Sequence, residues 1–251
     1  MKGTLYLVPT PLDFGMDPAP LDVALPPHTL AQAARLTHWV TENAKSTRAF
    51  LKRVGESHPL AVPLQAQQIV ELPREVHKKG DHGPGGFDAK PLLAPALQGH
   101  DVGLVSEAGM PAIADPGASV VRAAHELGLR VLPLVGPISL MLALAASGLN
   151  GQHFAFVGYL PQDATERGTR IRELEAVSLK TGQTQIFIET PYRNEALLKA
   201  LLQGLHPHTR LAVMVNATLP SATVHSALVS QWKKSAPALP LSGPAVFLFG
   251  R

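Results

Sequence analysis

The chain has 251 residues, 45% of them hydrophobic and 16% charged, with a formal net charge of +3 and no cysteine. That is enough apolar material for two packed domains and too little charge for a disordered chain. The absence of cysteine excludes disulfides, thiolate metal sites and a cysteine nucleophile, and fits a reducing cytoplasm. The longest apolar stretch, 138–149, is too short to span a bilayer and contains Ser139 and Ser147, while the first apolar run is too brief for a signal peptide. A soluble, cytoplasmic protein is expected.

In chain order, residues 4–8 read as a buried strand that Pro9-Thr10-Pro11 ends sharply. A long loop follows to Pro27, carrying Gly15, Pro18, Pro20 and Pro26; loops of that length are usually functional. Residues 28–36 predict a short helix and 38–41 a strand. Residues 43–54 have helical spacing and place Lys45, Arg48 and Lys52 on one face, either a phosphate-contacting surface or a solvated one. Residues 62–72 are ambiguous. Residues 77–87 are glycine-rich and predict a loop that could lie over a substrate as a lid. Their two histidines and Asp81 match no common metal-ligand spacing, and no metal site is expected. Residues 88–98 predict a helix.

Next come an apolar run, 102–105, and the stretch Ser106-Glu107-Ala108-Gly109-Met110-Pro111-Ala112-Ile113-Ala114-Asp115-Pro116-Gly117, then a helical pattern over 118–127 closed by Gly128. Ligands of open α/β sheets sit at the carboxyl ends of strands, and this loop has the small residues and polar anchors for that role. The alternative is an ordinary connection in which Asp115 and Pro116 open the helix as N-cap and first residue. Residues 130–135 form a further strand, Gly136-Pro137 breaks it, and 138–147 is a helix of small and apolar residues ended by Gly148. The domain boundary is placed there, giving domains 1–135 and 136–251.

In the second half, strands are expected at 154–158, 184–189, 210–216, 223–229 and 245–249. Helices are expected at 164–178 and 194–205, with a turn or short helix around Gln231-Trp232-Lys233-Lys234. The order implies an α/β domain followed by a mixed α+β domain with antiparallel edges. Phosphate-loop, dinucleotide-fingerprint and nucleophile-elbow motifs are all missing. What remains is a set of strand ends suited to an elongated small molecule: 106–109, 136–139, 189–190, 214–216 and 243–246.

Taken together, these motifs resemble the tetrapyrrole (corrin/porphyrin) methylase superfamily, closest to its 16S rRNA (cytidine-2′-O)-methyltransferase branch. The likeness is carried in order by the opening Gly3-Thr4-Leu5-Tyr6-Leu7-Val8-Pro9-Thr10-Pro11, the stretch 104–117, the segment 131–149, Phe156-Val157-Gly158-Tyr159-Leu160-Pro161 and Phe187-Ile188-Glu189-Thr190-Pro191-Tyr192-Arg193. It implies two α/β domains of tetrapyrrole-methylase type with a cofactor cleft between them, S-adenosylmethionine as cofactor, no metal, and a homodimer. Carried over by position, the cofactor-binding residues are Pro11, Ser106, Glu107, Ala108, Gly109, Ile113, Ala114, Asp115, Ile138, Ser139, Met214, Asn216, Pro244 and Ala245. Glu107 and Glu189 are the catalytic candidates, with Asp115 a third carboxylate; Lys45, Arg48, Lys52 and Arg193 are the substrate-binding candidates.

The chain also departs from that branch. Glu107 and Met110 stand where the branch has Asp and Thr, its Glu-Asp-Thr-Arg segment is matched only by Lys45-Ser46-Thr47-Arg48, and its Glu-Ser-x-His-Arg pattern reads Glu189-Thr190-Pro191-Tyr192-Arg193. Many rRNA-acting members also continue beyond the last strand. These differences imply a divergent paralogue. The expectation is methyl transfer to RNA, with a tetrapyrrole or other small molecule as alternative acceptor and a cofactor-binding protein without transfer activity as the other alternative.

Overall fold

Five short, mostly apolar runs of the first half become the strands β1 (Thr4–Leu7), β2 (His38–Thr41), β3 (Gln68–Glu71), β4 (Val102–Val105) and β5 (Arg130–Pro133). They form one parallel sheet in the order β3-β2-β4-β1-β5. The computed structural model describes residues 1–13, 19–73, 75–76, 81, 87–235 and 237–251. Gly15, Pro18 and most of the expected lid at 77–87 therefore lie outside the described residues. The chain divides into two compact units, Met1–Pro137 and Ile138–Arg251, a division two residues beyond the Val135 placed from sequence.

In the first unit, helices cover both faces of the sheet, as a parallel sheet requires. One face packs Leu5, Val40 and Leu104 against Val120, Ala123 and Ala124 of the helix Ala118–Glu126. The other packs Val8, Trp39 and Val105 against α1 (Pro27–Arg35) and α2 (Ala44–Ser57), through Leu30, Ala33, Phe50, Leu51 and Val54. Asn43 caps α2 by accepting the amide hydrogens of Lys45 and Ser46. The ambiguous 62–72 resolves into a one-turn 3-10 helix, Leu64–Ala66, and the edge strand β3. The helix expected at 88–98 is a 3-10 turn, Lys90–Leu93, running into the short α3 (Ala94–Leu97); with the Ala118–Glu126 helix as α4, this completes the helices labelled in the first unit. Pro91 and Pro95 supply no amide hydrogen, so no longer helix propagates there.

The second unit contains α5 (Ser139–Ser147), β6 (Phe154–Tyr159), α6 (Ala164–Thr181), β7 (Thr184–Glu189), α7 (Asn194–Gly204), β8 (Arg210–Val215), β9 (Thr223–Leu228), α8 (Val229–Lys234) and β10 (Ala245–Gly250). Its sheet runs β6-β7-β10-β8-β9. β6 and β7 are parallel; β10 is antiparallel to both β7 and β8, and β9 is antiparallel to β8. Antiparallel pairing therefore runs through the middle of this sheet to its β9 edge, as expected there, while the β6 edge is parallel. Every residue of β10 is buried, because both its neighbours and both its faces are covered. Phe247 and Phe249 join Phe187, Ile171, Leu201 and Trp232 on one face; burial of each such ring contributes roughly 1.5–3 kcal/mol. On the other face, Leu140, Ala143 and Leu144 of α5 pack on Ile186, Ala212, Val246 and Leu248.

Candidate functional site

In the first sheet β4 lies between β2 and β1, so the loops leaving the carboxyl ends of these strands converge. The loop after β1 is tied to the loop after β4 by a two-residue bridge. The Thr10 amide donates to Gly109 O at 3.0 Å, the Gly109 amide donates to Thr10 O at 3.1 Å, and Thr10 Oγ1 donates to Ser106 O at 3.3 Å. Gly109 has φ +78° with Leu12 close by, a position that favours glycine. The loop after β2 meets the same loop through Asn43, whose Nδ2 donates to Glu107 Oε1 at 2.8 Å, and through Glu42, whose Oε2 accepts the Glu107 amide at 3.2 Å.

These ties collect Glu42, Glu107 and Asp115 at one end of the sheet. Burial, then the negative charge of Glu42 and of Glu107, pushes the Asp115 carboxyl up to about 7. Beside Glu107, Ser106 is only 4% exposed and its Oγ has no hydrogen-bond partner. A buried hydroxyl without a partner costs about 1–3 kcal/mol, so such a group is a ready contact for a ligand. Ala112 and Ala114, either side of the exposed Ile113, have φ +65° and +63°. Left-handed backbone at a non-glycine residue is the kind of strain found at ligand-holding loops. Glu42 was not singled out from sequence, although it follows a strand end like the others; it places an acidic group three residues before the Lys45-Ser46-Thr47-Arg48 segment.

Asp115 does not open the helix that follows. The N-cap position of α4 is Gly117, and the capping carboxylate is Asp81. Its Oδ2 accepts the amides of Gly117 (2.9 Å) and Ser119 (2.8 Å) and the Ser119 hydroxyl (2.8 Å). This corrects the N-cap reading of Asp115 and leaves that carboxyl in the acidic cluster. It also fixes one residue of the expected lid, since Asp81 is 3% exposed and buried against α4.

In the second unit, the register aligns Glu189 of β7 with Ala245 of β10 and Ala245 with Val215 of β8. Met214, Asn216, Pro244 and Ala245 thus gather at one sheet end, where the Asn216 amide donates to Pro244 O at 2.9 Å. Asn216 and Thr218 have φ +55° and +70°, a second pair of left-handed residues. A Cβ on Gly243 would stand 1.9 Å from Asn216 Oδ1, so the Asn216 side chain has its place only beside a glycine. Ile138 and Ser139 form the N-cap and first residue of α5.

Glu189 is buried, and its Oε1 accepts from the Thr190 amide (2.7 Å) and hydroxyl (3.2 Å) and from Arg193 Nε (3.0 Å) and Nη2 (2.8 Å). That makes it an anchor for Arg193 in this structure. Lys45, Arg48 and Lys52 are all exposed on α2. Pro11 is buried beside the Thr10 bridge. A cavity of about 560 Å³, lined by Thr37, His38, Gln68 and Val102, lies at the amino ends of β2, β3 and β4, opposite the acidic cluster. Among the described residues no three His, Asp or Glu side chains are arranged so that they could hold a metal ion, and no helix is long and apolar enough to cross a membrane.

A model of the "Tetrapyrrole (Corrin/Porphyrin) Methylases" family matches residues 30–232. The chain is 32% identical over 214 residues to the ribosomal RNA small subunit methyltransferase I of Mesorhizobium japonicum, covering 85% of this chain and 63% of that protein. It is 31% identical to the protein of the same name from Pseudomonas aeruginosa, over 76% of this chain and 58% of that one. Against the Escherichia coli O157:H7 protein of that name it is 34% identical, over 92% of this chain and 71% of the other. The chain thus spans about three fifths of the length of the first two relatives. In fold it resembles uroporphyrin-III C-methyltransferase from Thermus thermophilus complexed with S-adenyl homocysteine, with a TM-score of 0.54 and 18% identity over 99% of this chain and 98% of that one.

Proposed function

The chain belongs to the tetrapyrrole methylase family, and from that premise we propose that it transfers a methyl group from S-adenosylmethionine to RNA, at a ribose 2′-hydroxyl. The acidic cluster of Glu42, Glu107 and Asp115 carries this reading, because a sulfonium cation complements it. The unpartnered Ser106 Oγ and the amides of the strained loop 106–115 supply the polar contacts such a ligand needs. When bound, S-adenosylmethionine supplies an already activated methyl group, so the protein has to align the acceptor and take up its proton.

For the proton, Asp115 is the best-placed carboxyl. A carboxyl with a pKa near 7 is a stronger base than an ordinary carboxylate, and a substantial fraction of it is ionised at neutral pH. With the methyl donor bound, Asp115 would take the proton that the acceptor hydroxyl gives up on methylation. Glu107, hydrogen-bonded to Asn43, tunes Asp115 by its charge. Of the cofactor contacts, we assign Pro11, Ser106, Glu107, Ala108, Gly109, Ile113, Ala114 and Asp115 to the first unit. Ile138, Ser139, Met214, Asn216, Pro244 and Ala245 are those of the second. Lys45, Arg48, Lys52 and Arg193 are assigned to the RNA backbone, and the functional form to a homodimer.

The test is calorimetric titration with S-adenosylmethionine and S-adenosylhomocysteine, followed by methyl transfer to ribosomal RNA. A dissociation constant in the micromolar range, about −8 kcal/mol, together with transfer that falls with salt, is expected. Binding with transfer only to a small acceptor would replace RNA by that acceptor; binding with no transfer to any acceptor would leave a cofactor-binding protein. A cationic ligand favours the ionised cluster, so the affinity for S-adenosylmethionine should rise with pH through about 7 while that for the uncharged thioether changes less.

A further inference from the structure

Tyr192 is 80% exposed, far more than any aromatic ring in the cores of either unit. It sits in the one-turn 3-10 helix Pro191–Arg193 at the carboxyl end of β7. The turn is held from both sides. Behind the ring, Arg193 lies with Cζ 5.2 Å from its centroid, and the guanidinium is fixed by two hydrogen bonds to buried Glu189. After the turn, Asn194 is fully buried, and its Nδ2 donates to Leu241 O and Gly243 O, both at 2.9 Å. Pro191 restricts the backbone before the ring. Apart from the guanidinium on the ring, none of these contacts involves the side chain at position 192, and packing does not bury it.

An exposed ring on a fixed support, with a cation against it, has the chemistry of a stacking platform for a nucleobase. Every base has a π-face, so stacking on an aromatic side chain tolerates any sequence. The adjacent guanidinium adds cation–π attraction and leaves Nη1 outside the Glu189 pair to meet a phosphate. Bases within a duplex are covered by their neighbours, so the partner is single-stranded. The register places this turn at the same sheet end as Met214, Asn216 and Ala245.

We propose that Tyr192, backed by Arg193 and Glu189, stacks on an unpaired base of the RNA substrate. This rests on the RNA reading given above. The test is fluorescence anisotropy with a labelled, mixed-sequence single-stranded RNA of about 12 nucleotides, in saturating S-adenosylhomocysteine. The proteins are the full chain and its Tyr192→Ala, Tyr192→Phe and Tyr192→Trp variants. The Ala variant should bind about 5- to 100-fold more weakly, since losing a stacked base commonly costs that much. Phe and Trp should stay within about twofold of the parent, because stacking needs the ring and not the hydroxyl. The Ala-to-parent ratio should hold as salt rises, which separates stacking from a charge effect.

Equal binding by the Ala variant and the parent would overturn the platform and leave the RNA reading standing. Equal loss in the Ala and Phe variants would overturn it too, assigning the effect to the hydroxyl. If the parent binds S-adenosylhomocysteine but no RNA, the RNA reading falls and the platform with it. Sedimentation decides one more outcome: a dimer that the Ala variant turns into monomer would make Tyr192 a self-association contact and overturn the proposal.

Discussion

Asp81 and Ser119 are joined twice through one oxygen, the Asp81 Oδ2 accepting both the amide and the hydroxyl of Ser119 at 2.8 Å. With the Gly117 amide on the same atom, a residue far upstream closes the amino end of α4. Asp81→Ala leaves buried donors without an acceptor and is expected to cost about 1–3 kcal/mol, measured by chemical denaturation. Burial works against the Asp81 charge, but the hydrogen bonds from Ser119 and Gly117 outweigh it and hold the carboxyl below its ordinary range. A carboxyl lowered by folding stabilises above its unfolded pKa and loses that contribution as pH falls through the folded value. The difference between parent and variant should therefore be constant at neutral pH and shrink in acid below about 4.

Asp115 has the opposite sign. Its folded carboxyl sits at about 7, so between its unfolded value and 7 the folded state holds the proton more firmly. Stability then falls as pH rises across that window. Asp115→Asn removes the charge and should stabilise the protein by on the order of 1–3 kcal/mol at pH 8, and by less at pH 5. Thermal melts across pH check this. In the same variant, methyl transfer should fall at least 100-fold if Asp115 takes the proton. Unchanged transfer with raised stability would restrict Asp115 to a contact with the sulfonium.

Why the cap of α4 is Asp81 and not Asp115 is a matter of range. Residues 115–118 read locally as a helix start, and nothing in the spacing reports a carboxylate brought in from more than thirty residues away. The strands show the same division. β7 was legible as 184–189 because it is an apolar run bounded by turn residues. β3 was not, because it is an edge strand with Gln68, Val70 and Glu71 exposed and hence no burial pattern. β10 was legible as a strand, but its place between β7 and β8 is set by pairing across the sheet. In the site, small residues at strand ends mark Ser106, Gly109, Asn216 and Ala245 in the sequence. Glu42 and Asn43 carry no such mark, because their part depends on β2 lying beside β4.

Gly243→Ala would bring a Cβ to 1.9 Å from Asn216 Oδ1 and push that side chain from its hydrogen bond with Ser221 Oγ. Asn216 is already in a left-handed conformation, which its neighbours must enforce. The variant should lose at least tenfold in S-adenosylhomocysteine affinity by calorimetry, about 1.4 kcal/mol, with a small change in melting temperature. Retained affinity would remove Asn216 from the cofactor contacts.

Glu189→Gln separates an anchor from a base. Glutamine keeps an oxygen that accepts from Thr190 and Arg193 but loses the charge that orders the guanidinium. An anchor predicts a raised KM for RNA, with the pH profile of kcat unchanged. Loss of kcat together with the basic group in that profile, at unchanged KM, would instead make Glu189 the proton acceptor.

The exposed cations of α2 allow a separate test, since Lys45, Arg48 and Lys52 lie on the solvent side while Phe50, Leu51 and Val54 hold the helix to the sheet. Changing all three to glutamine should leave the fold and the S-adenosylhomocysteine affinity intact. If each meets a phosphate, the slope of log affinity against log salt for single-stranded RNA should fall by about 2, at roughly 0.7 per contact. A slope unchanged from the parent would mean that α2 presents a solvated face, and that the RNA backbone is held elsewhere. Because stacking on Tyr192 carries no such slope, combining the triple variant with Tyr192→Ala should give additive losses in affinity and no further change in slope.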